Sequence, residues 1–225
     1  MFRLTSTKML ICDMAGTTIQ EKGIVYNSLY KTIRLVYPQL KKEDIKEFGG
    51  AKKREVIKYF VNNLKMNSPE VVINNLDSEF NYFLKKEYQN NPSVQLIDPN
   101  LPNFFNALRD QNIKICLNTG YNKEIQKLLV DKFNMRDFVD DYISSEEVDF
   151  GRPYPYMVHA LMKRNNIFTV NHVIKIGDTE MDIKEGKNAG CRTVGVLSGA
   201  HTKEQLLTQR PDYIVDNIMD IKFYS

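Results

Sequence analysis

The sequence contains few of the residues from which disulfides and soft-metal sites are built. It has three cysteines and three histidines in 225 residues. The cysteine number is odd, and each cysteine lies in or beside a predicted strand, so we expect buried free thiols in a reducing compartment (Cys12, Cys116 and Cys191). The histidines show no metal-ligand spacing. The composition therefore disfavours a disulfide scaffold and a cysteine- or histidine-ligated metal centre.

Long apolar runs and a strong charge of either sign are also missing. No window approaches the roughly 18 apolar residues of a membrane span, and residues 1–8 lack the apolar core of a secretion signal. The 31 basic residues exceed the 28 acidic ones by only three, and no basic stripe is interleaved with aromatic residues. We therefore expect a cytoplasmic protein with neither a membrane nor a nucleic acid as its partner.

The chain length and the overall polarity are those of an ordinary globular protein. Hydrophobic residues make up 42% of the sequence and charged residues 26%, which is typical of folded domains. A chain of this length can form one full core and a small accessory domain.

Short apolar runs alternate with helical patterns through most of the chain. The pattern predicts strands at 9–12, 113–117, 141–144, 173–176, 193–197 and 213–215. Helical patterns alone fill residues 21–91. The alternation predicts an α/β fold, a doubly wound parallel sheet, with the core formed by residues 1–20 and 92–225 and a helical insert at 21–91.

Two predicted strands end in an aspartate. Asp13 follows the first strand and is itself followed by Gly16, Thr17 and Thr18, whereas Asp178 follows the strand at 173–176. Open α/β sheets bind ligands at the carboxyl ends of their strands. The two carboxylates therefore suggest a divalent-metal site between adjacent strand ends. An Asp-Gly-type turn after an ordinary strand is the alternative.

The residues around these aspartates resemble a known superfamily. Residues 13–18, together with 177–179, are similar to the haloacid dehalogenase superfamily of phosphohydrolases, which use an aspartate nucleophile. The stretches 118–121, 151–155 and 177–190 narrow the resemblance to its phosphonatase branch, the phosphonoacetaldehyde hydrolases and their relatives. The motifs occur in the right order from the first strand to about residue 207, and the resemblance is weakest at 21–92. It implies a Rossmann-like core with a helical cap.

The resemblance also implies a nucleophile and a metal site. Asp13 is the expected nucleophile and would form an aspartyl phosphate. Asp13, Asp178 and the backbone carbonyl of Ala15 would hold a metal ion, with Asp182 in support. Hard oxygen ligands favour magnesium, so Mg2+ is the expected cofactor.

Further residues are implied to bind the phosphoryl group. Arg152 is the expected cationic clamp on that group and on the nucleophile, and a surface arginine in a proline-rich loop is the alternative. Thr119, Gly120 and Tyr121 would contact the phosphoryl oxygens or line the site. Position alone leaves open that Thr119 caps the following helix and that Tyr121 packs.

Ala15 departs from the phosphatases of the superfamily and matches the phosphonatase branch. Phosphatases carry a second aspartate at this position, which protonates the leaving group, and alanine cannot do so. Carbon–phosphorus cleavage instead needs an electron sink, which a lysine imine of a neighbouring aldehyde supplies. Lys53 matches the cap lysine that forms this Schiff base. The sequence thus favours cleavage of phosphonoacetaldehyde to acetaldehyde and phosphate.

Other cap residues leave the substrate open. The branch has methionine, histidine and cysteine where this chain has Gly49, Val56 and Ile24. The alternative interpretation of Lys53 is a solvated surface charge. The main alternative is a phosphatase-like hydrolase of another small phosphorylated compound that forms no imine. A catalytically silent binding protein is a third. Phosphonatases often dimerise through the cap, so a homodimer is also left open.

Overall fold

The computed structural model describes residues 2–3, 6–46, 48, 53–64 and 67–224 of the chain. Its strands are β1 (Phe2–Arg3), β2 (Met9–Asp13), β3 (Ile19–Gln20), β4 (Gln95–Leu96), β5 (Lys114–Thr119), β6 (Asp141–Ser144), β7 (Val173–Gly177), β8 (Arg192–Val196), β9 (Tyr213–Val215) and β10 (Phe223–Tyr224). Its helices are α1 (Ile24–Ile33), α2 (Lys42–Lys46), α3 (Lys53–Asn63), α4 (Pro69–Asn90), α5 (Leu101–Arg109), α6 (Lys123–Lys132), α7 (Tyr156–Arg164), α8 (Glu180–Asn188) and α9 (Lys203–Thr208).

Six parallel strands form the central sheet, in the order β6-β5-β2-β7-β8-β9. The strand β2 lies in the middle, and its last residue, Asp13, pairs with Asn118 of β5. On the other side Cys12 pairs with Ile176 of β7, one residue before the end of that strand. The carboxyl ends of three neighbouring strands therefore meet at one point. The predicted fold class is confirmed.

The central strand is buried on both faces of the sheet. Met9 and Ile11 point to one face and pack with Cys116 and with the apolar side of α7. Leu10 and Cys12 point to the opposite face and are also fully buried. Strands covered on both faces are apolar without alternation, which explains why the run at 9–12 is continuous.

The chain divides into two compact units. One consists of residues Met1–Gln20 and Val94–Ser225 and contains the central sheet. The other, Glu21–Ser93, is the inserted helical unit and contains α1 to α4. Its core is built from buried side chains of the four helices, among them Leu29, Ile45, Ile57 and Leu84. The sequence also predicts that the second helix of this unit ends at Gly49 and Gly50. These two residues lie outside the described part of the chain.

The longest helix, α4, spans 22 residues. Pro69 occupies its first turn, where the missing N–H costs nothing. A serine before a proline is typical of a helix start, so the sequence predicts Ser68 as the N-cap. Ser68 does precede the helix, but it has a left-handed conformation and makes no side-chain cap hydrogen bond, so the predicted cap is wrong. Among the described residues, no helix combines the length and the apolar character needed to cross a membrane.

Three short features were not predicted. The strands β3 and β4 pair antiparallel on either side of the inserted unit, and β1 pairs with β10. The helix α9 has six residues and begins at a capping box formed by Thr202 and Gln205. Strands of two residues are too short to show a hydrophobic period, which is why the sequence pattern missed them.

Candidate active site

Asp13 lies at the carboxyl end of β2 and is 5% exposed. Its Oδ1 accepts a hydrogen bond of 2.6 Å from Nη2 of Arg152. Burial raises the pKa of Asp13, and Arg152 partly offsets this because it stabilises the carboxylate. The predicted nucleophile is thus a buried carboxylate with one oxygen held by a cation.

Arg152 is largely but not fully buried, with 12% of its side chain exposed, and is held by carboxylates on several sides. Besides Asp13, its Nη1 contacts Oδ1 of Asp182 at 3.0 Å and its Nε donates to Oε2 of Glu185 at 3.2 Å. Its Nη2 also donates to the backbone oxygen of Asn118 at 2.9 Å and to Oδ1 of the same residue at 2.7 Å. Burial alone would lower the pKa of Arg152, but the surrounding carboxylates raise it. Arg152 is therefore a fixed cation of the buried site, and the surface-loop alternative is wrong.

Asp13, Asp178 and Asp182 form a buried acidic cluster. One ligand atom from each lies within 4.8 Å of the other two. Burial, followed by the charges of Asp13 and Asp182, raises the pKa of Asp178 well above its ordinary value. A bound cation would remove this penalty, so the cluster has the charge and the oxygen donors that a divalent metal ion requires.

Glycines make room for the aspartate side chains of this cluster. A Cβ on Gly199 would lie 2.0 Å from Oδ2 of Asp178, and a Cβ on Gly16 would lie 2.5 Å from the same atom. Gly177 stands similarly close to Asp182, at 2.1 Å from its Cγ. Gly16 also has a φ of 82°, which side-chain-bearing residues rarely adopt. The backbone around the cluster is thus shaped to the carboxylates.

Asp178 and Asp182 differ in how the protein holds them. Asp178 accepts from Oγ1 of Thr17 at 3.1 Å and from the backbone N–H of Ala200 at 2.7 Å. Asp182 accepts from Nζ of Lys175 at 2.7 Å and from Oγ1 of Thr179 at 2.6 Å. Burial would raise the pKa of Asp182, but Arg152 and Lys175 lower it to about 2.

Both oxygens of Asp182 are thus taken by protein donors, because Oδ1 accepts from Lys175 and Oδ2 from Thr179. Both oxygens of Asp178 also accept from protein donors, but those donors are neutral, whereas Lys175 and Arg152 already balance the charge of Asp182. Asp182 therefore suits a residue that supports the site, and Asp178 keeps an unbalanced charge that a metal ion would neutralise. Ala15 lies in the loop between Asp13 and Gly16, where it forms an isolated bridge with Ile19.

Three buried polar residues of the site were not predicted. Asn118 lies in β5, Lys175 in β7 and Glu185 in α8, and all three are fully buried. Nδ2 of Asn118 donates to Oε2 of Glu185 at 2.8 Å, and Nζ of Lys175 lies 3.7 Å from the same oxygen. The sequence offers one signal of these residues, which is Lys175 inside an apolar strand. Lysine is almost never fully buried unless it is paired, so a partner is to be expected there.

The predicted phosphate-binding residues follow β5. Thr119 is buried at the strand end, and its Oγ1 accepts from the N–H of Tyr121 at 3.3 Å. The side chain that caps α6 belongs to Asn122, which accepts from Ile125. The alternative of Thr119 as this cap is therefore wrong. The carbonyl of Gly120 accepts from Ser145 at 3.1 Å.

His201, to which the sequence assigned no role, lies beside the cluster. Its Nδ1 accepts from the N–H of Glu180 at 3.1 Å, at the first residue of α8. Its backbone N–H donates to the carbonyl of Asp178 at 3.3 Å. His201 therefore ties the start of α8 to the strand end that carries Asp178.

Lys53 is the first residue of α3 in the helical unit and is half-buried. Its Nζ lies 4.8 Å from the ring centroid of Tyr26, which is within cation–π range. Val56 and Ile24, two of the departures from the phosphonatase pattern, are buried apolar residues of this unit. The third, Gly49, lies outside the described residues.

The fold and the site together define a protein of the α/β class with an acidic centre at the carboxyl edge of its sheet. The haloacid dehalogenase-like hydrolase family model matches residues 10–196. The chain belongs to this family of hydrolases.

Curated relatives resemble one part of the chain. The phosphonoacetaldehyde hydrolase of Bacillus cereus is 36% identical over 113 residues, which are 50% of this chain and 42% of that protein. The Bacillus cytotoxicus protein of the same name is 39% identical over 94 residues, 41% of this chain and 36% of its own length. The matched region thus spans less than half of these relatives.

Solved structures share the fold over almost the whole chain. A phosphonoacetaldehyde hydrolase-like protein from Oleispira antarctica superposes with a TM-score of 0.82 at 22% identity, covering 99% of this chain and 92% of that one. A predicted phosphoglycolate phosphatase from Haemophilus somnus gives 0.79 at 17% identity, covering 96% of each chain.

Proposed function

We propose that the protein is a magnesium-dependent phosphonatase that cleaves phosphonoacetaldehyde, or a close analogue, to an aldehyde and phosphate. The observation that carries the proposal is the contact of 2.6 Å between Arg152 and Asp13 inside a buried acidic cluster. A carboxylate held in this way is oriented for attack on phosphorus, and the cation offsets the charge of the incoming phosphoryl group.

The proposed reaction forms two covalent intermediates. The amine of Lys53 adds to the aldehyde carbon, and loss of water gives an imine. An oxygen of Asp13 then bonds to phosphorus while the carbon–phosphorus bond breaks, and the electron pair moves into the imine to give an enamine. Protonation and hydrolysis of the enamine release the aldehyde, and water hydrolyses the aspartyl phosphate. Bound Mg2+ would reduce the repulsion between Asp13 and the phosphoryl oxygens.

Ala15 supports this chemistry over ester hydrolysis. A methyl group cannot protonate a leaving alkoxide, and general acid catalysis is typically worth roughly 100- to 10,000-fold. The enamine pathway places no alkoxide at this position. The names of the Bacillus relatives agree with the proposal.

A specific observation favours a second candidate, a phosphatase-like hydrolase that forms no imine. The ring of Tyr26 stabilises the ammonium form of Lys53, whereas an imine requires the neutral amine. In this candidate Lys53 binds substrate as a point charge, and Val56 and Ile24 only pack.

The two candidates are separated by a substitution at Lys53. Wild type, Lys53→Arg and the control Lys58→Arg are incubated with Mg2+ and phosphonoacetaldehyde, and acetaldehyde and phosphate are measured together. Lys58 lies on the same helix and pairs with Glu55 at 3.4 Å. The imine pathway requires equal release of both products, loss of both in Lys53→Arg, and unchanged release in Lys58→Arg.

Borohydride trapping adds a second criterion. An imine at Lys53 becomes a stable secondary amine on reduction, which mass spectrometry of a proteolytic digest locates. Phosphate released from a panel of phosphomonoesters, with no acetaldehyde and no adduct at Lys53, would establish the second candidate instead.

A further inference from the structure

Glu185 is a buried carboxylate for which the proposed reaction has no direct use. It lies one turn after Asp182 on α8 and is fully buried. It is not a member of the acidic cluster formed by Asp13, Asp178 and Asp182. Burying a carboxylate is costly, and an apolar side chain of similar volume would often be as stable. The position of Glu185 therefore calls for a role other than packing.

The hydrogen bonds of Glu185 all converge on one of its oxygens. Oε2 accepts from Nε of Arg152 at 3.2 Å and from Nδ2 of Asn118 at 2.8 Å. Oδ1 of Asn118 in turn accepts from Nη2 of Arg152 at 2.7 Å. The three side chains thus form a closed triangle, which fixes both the position and the plane of the guanidinium.

The surroundings of Oε1 of Glu185 and of Nζ of Lys175 indicate whether the carboxylate acts as an acceptor or through its charge. Within the part of the chain that the structure describes, Oε1 of Glu185 has no hydrogen-bond partner. Nζ of Lys175 lies 3.7 Å from Oε2 and offsets the negative charge. The geometry therefore uses a single acceptor oxygen of Glu185, beside a lysine that Glu185 shares with Asp182.

We propose that Glu185 is a positioning residue for Arg152. Its Oε2 holds the Nε edge of the guanidinium so that Nη2 lies against Oδ1 of Asp13, and it acts as a hydrogen-bond acceptor rather than through its charge. The proposal rests on the proposed function only in that Asp13 is taken as the reacting group.

Two substitutions of Glu185 distinguish a role as a hydrogen-bond acceptor from a role of its negative charge. In Glu185→Gln the carbonyl can take the place of Oε2, and the NH2 group then occupies the place of Oε1, where it displaces no hydrogen bond. We expect this variant to keep kcat within about fivefold, since a neutral acceptor forms a weaker bond than a charged one. Glu185→Leu removes the acceptor, and we expect kcat to fall by about 10- to 100-fold with KM nearly unchanged.

A spectroscopic readout tests the positioning without relying on turnover. The Nε–H of a buried, hydrogen-bonded arginine should give a protected NMR signal, and its absence from Arg152→Lys assigns it to Arg152. We expect the signal to persist in Glu185→Gln and to lose its protection in Glu185→Leu. If Glu185→Leu does not fold, Glu185→Met, which also removes the acceptor but has a flexible, unbranched side chain, takes its place with the same expectation.

The outcomes distinguish this proposal from the proposed function. If wild type releases no phosphate from phosphonoacetaldehyde or from the ester panel, the proposed function fails, and the NMR comparison still decides the role of Glu185. Equal losses of kcat in Glu185→Gln and Glu185→Leu would overturn the proposal in favour of a charge effect. A protected Arg152 signal in Glu185→Leu would overturn it as well.

Discussion

At the scale of single residues, two neighbouring threonines have different partners. The hydroxyl of Thr17 donates to the carboxylate of Asp178 at 3.1 Å. The hydroxyl of Thr18 donates to backbone carbonyls, that of Asp13 at 3.0 Å and that of Met14 at 3.2 Å. Both side chains are fully buried. Substitutions of the two threonines can therefore distinguish the support of the proposed metal ligand Asp178 from the support of the loop backbone.

We expect Thr17→Val to weaken Mg2+ binding by about 10- to 100-fold, because partners that orient a ligand usually matter to this extent. Thr18→Val is the matched control and should leave the affinity within about threefold. Each variant should also lose about 1 kcal/mol of unfolding free energy, the usual contribution of one hydrogen bond. Isothermal titration calorimetry gives the affinities and urea denaturation the stabilities. Equal losses of affinity in the two variants would contradict the expectation.

The site residues that the sequence could predict are those at strand ends. Asp13 and Asp178 each follow an apolar run, and the rule that parallel strands end at the same edge brings them together. Glu185 and Asn118 could not be predicted, since their contacts depend on the register of β5 beside β2 and on the direction in which α8 leaves β7. Arg152 was found through the resemblance rather than through any periodicity.

At the scale of secondary-structure elements, two helices of the sheet-containing unit follow an asparagine but differ in how they begin. The side chain of Asn122 accepts from the N–H of Ile125 at 2.8 Å and caps α6. Asn100 precedes α5 without a side-chain cap hydrogen bond, and Pro102 already lies in the first turn of that helix. The same residue type therefore has two different energetic roles.

Asn122→Ala should lower the unfolding free energy by about 1 kcal/mol, as removal of an N-cap usually does. Asn100→Ala breaks no cap and should change it by less than about 0.5 kcal/mol. Urea denaturation followed by circular dichroism measures both. A larger loss in Asn100→Ala than in Asn122→Ala would contradict this assignment.

The elements differed in how well the sequence predicted them. The strands at 141–144 and 213–215 agree with the prediction to the residue. The second is a short apolar run between polar residues, whereas the first has an apolar pair between Asp141 and Ser144. Ser68 shows the limit of local rules, since a good capping residue adopts a left-handed conformation there and does not cap.

At the scale of the whole molecule, the three thiols report on the integrity of the sheet. All three cysteines are buried free thiols, as expected from the sequence. Burial raises the pKa of Cys12 to about 12 and that of Cys191 to about 12, and it also raises the pKa of Cys116. At pH 8 only roughly one thiol in 10,000 would then be ionised at Cys12.

We therefore expect the folded protein to resist labelling by a disulfide reagent at pH 8. The thiolate is the reactive species, and burial suppresses both its formation and its access to the reagent. In guanidinium chloride three thiols per chain should react. Absorbance of the released thiol measures both cases. Rapid labelling of any cysteine in the folded protein would show that the sheet opens under native conditions.

The pairing of β3 with β4 has a consequence for how this protein can evolve. Gln20 pairs with Gln95, so the chain leaves the sheet-containing unit and returns to it at adjacent points. Paired antiparallel residues lie only about 5 Å apart, and the cost of closing a loop grows slowly with its length. A segment attached in this way can be shortened, lengthened or exchanged by recombination while the strands on either side keep their path. The acidic centre and the inserted helices can therefore be inherited separately. This accounts for a resemblance to known hydrolases that is strong at the strand ends and weak at 21–92.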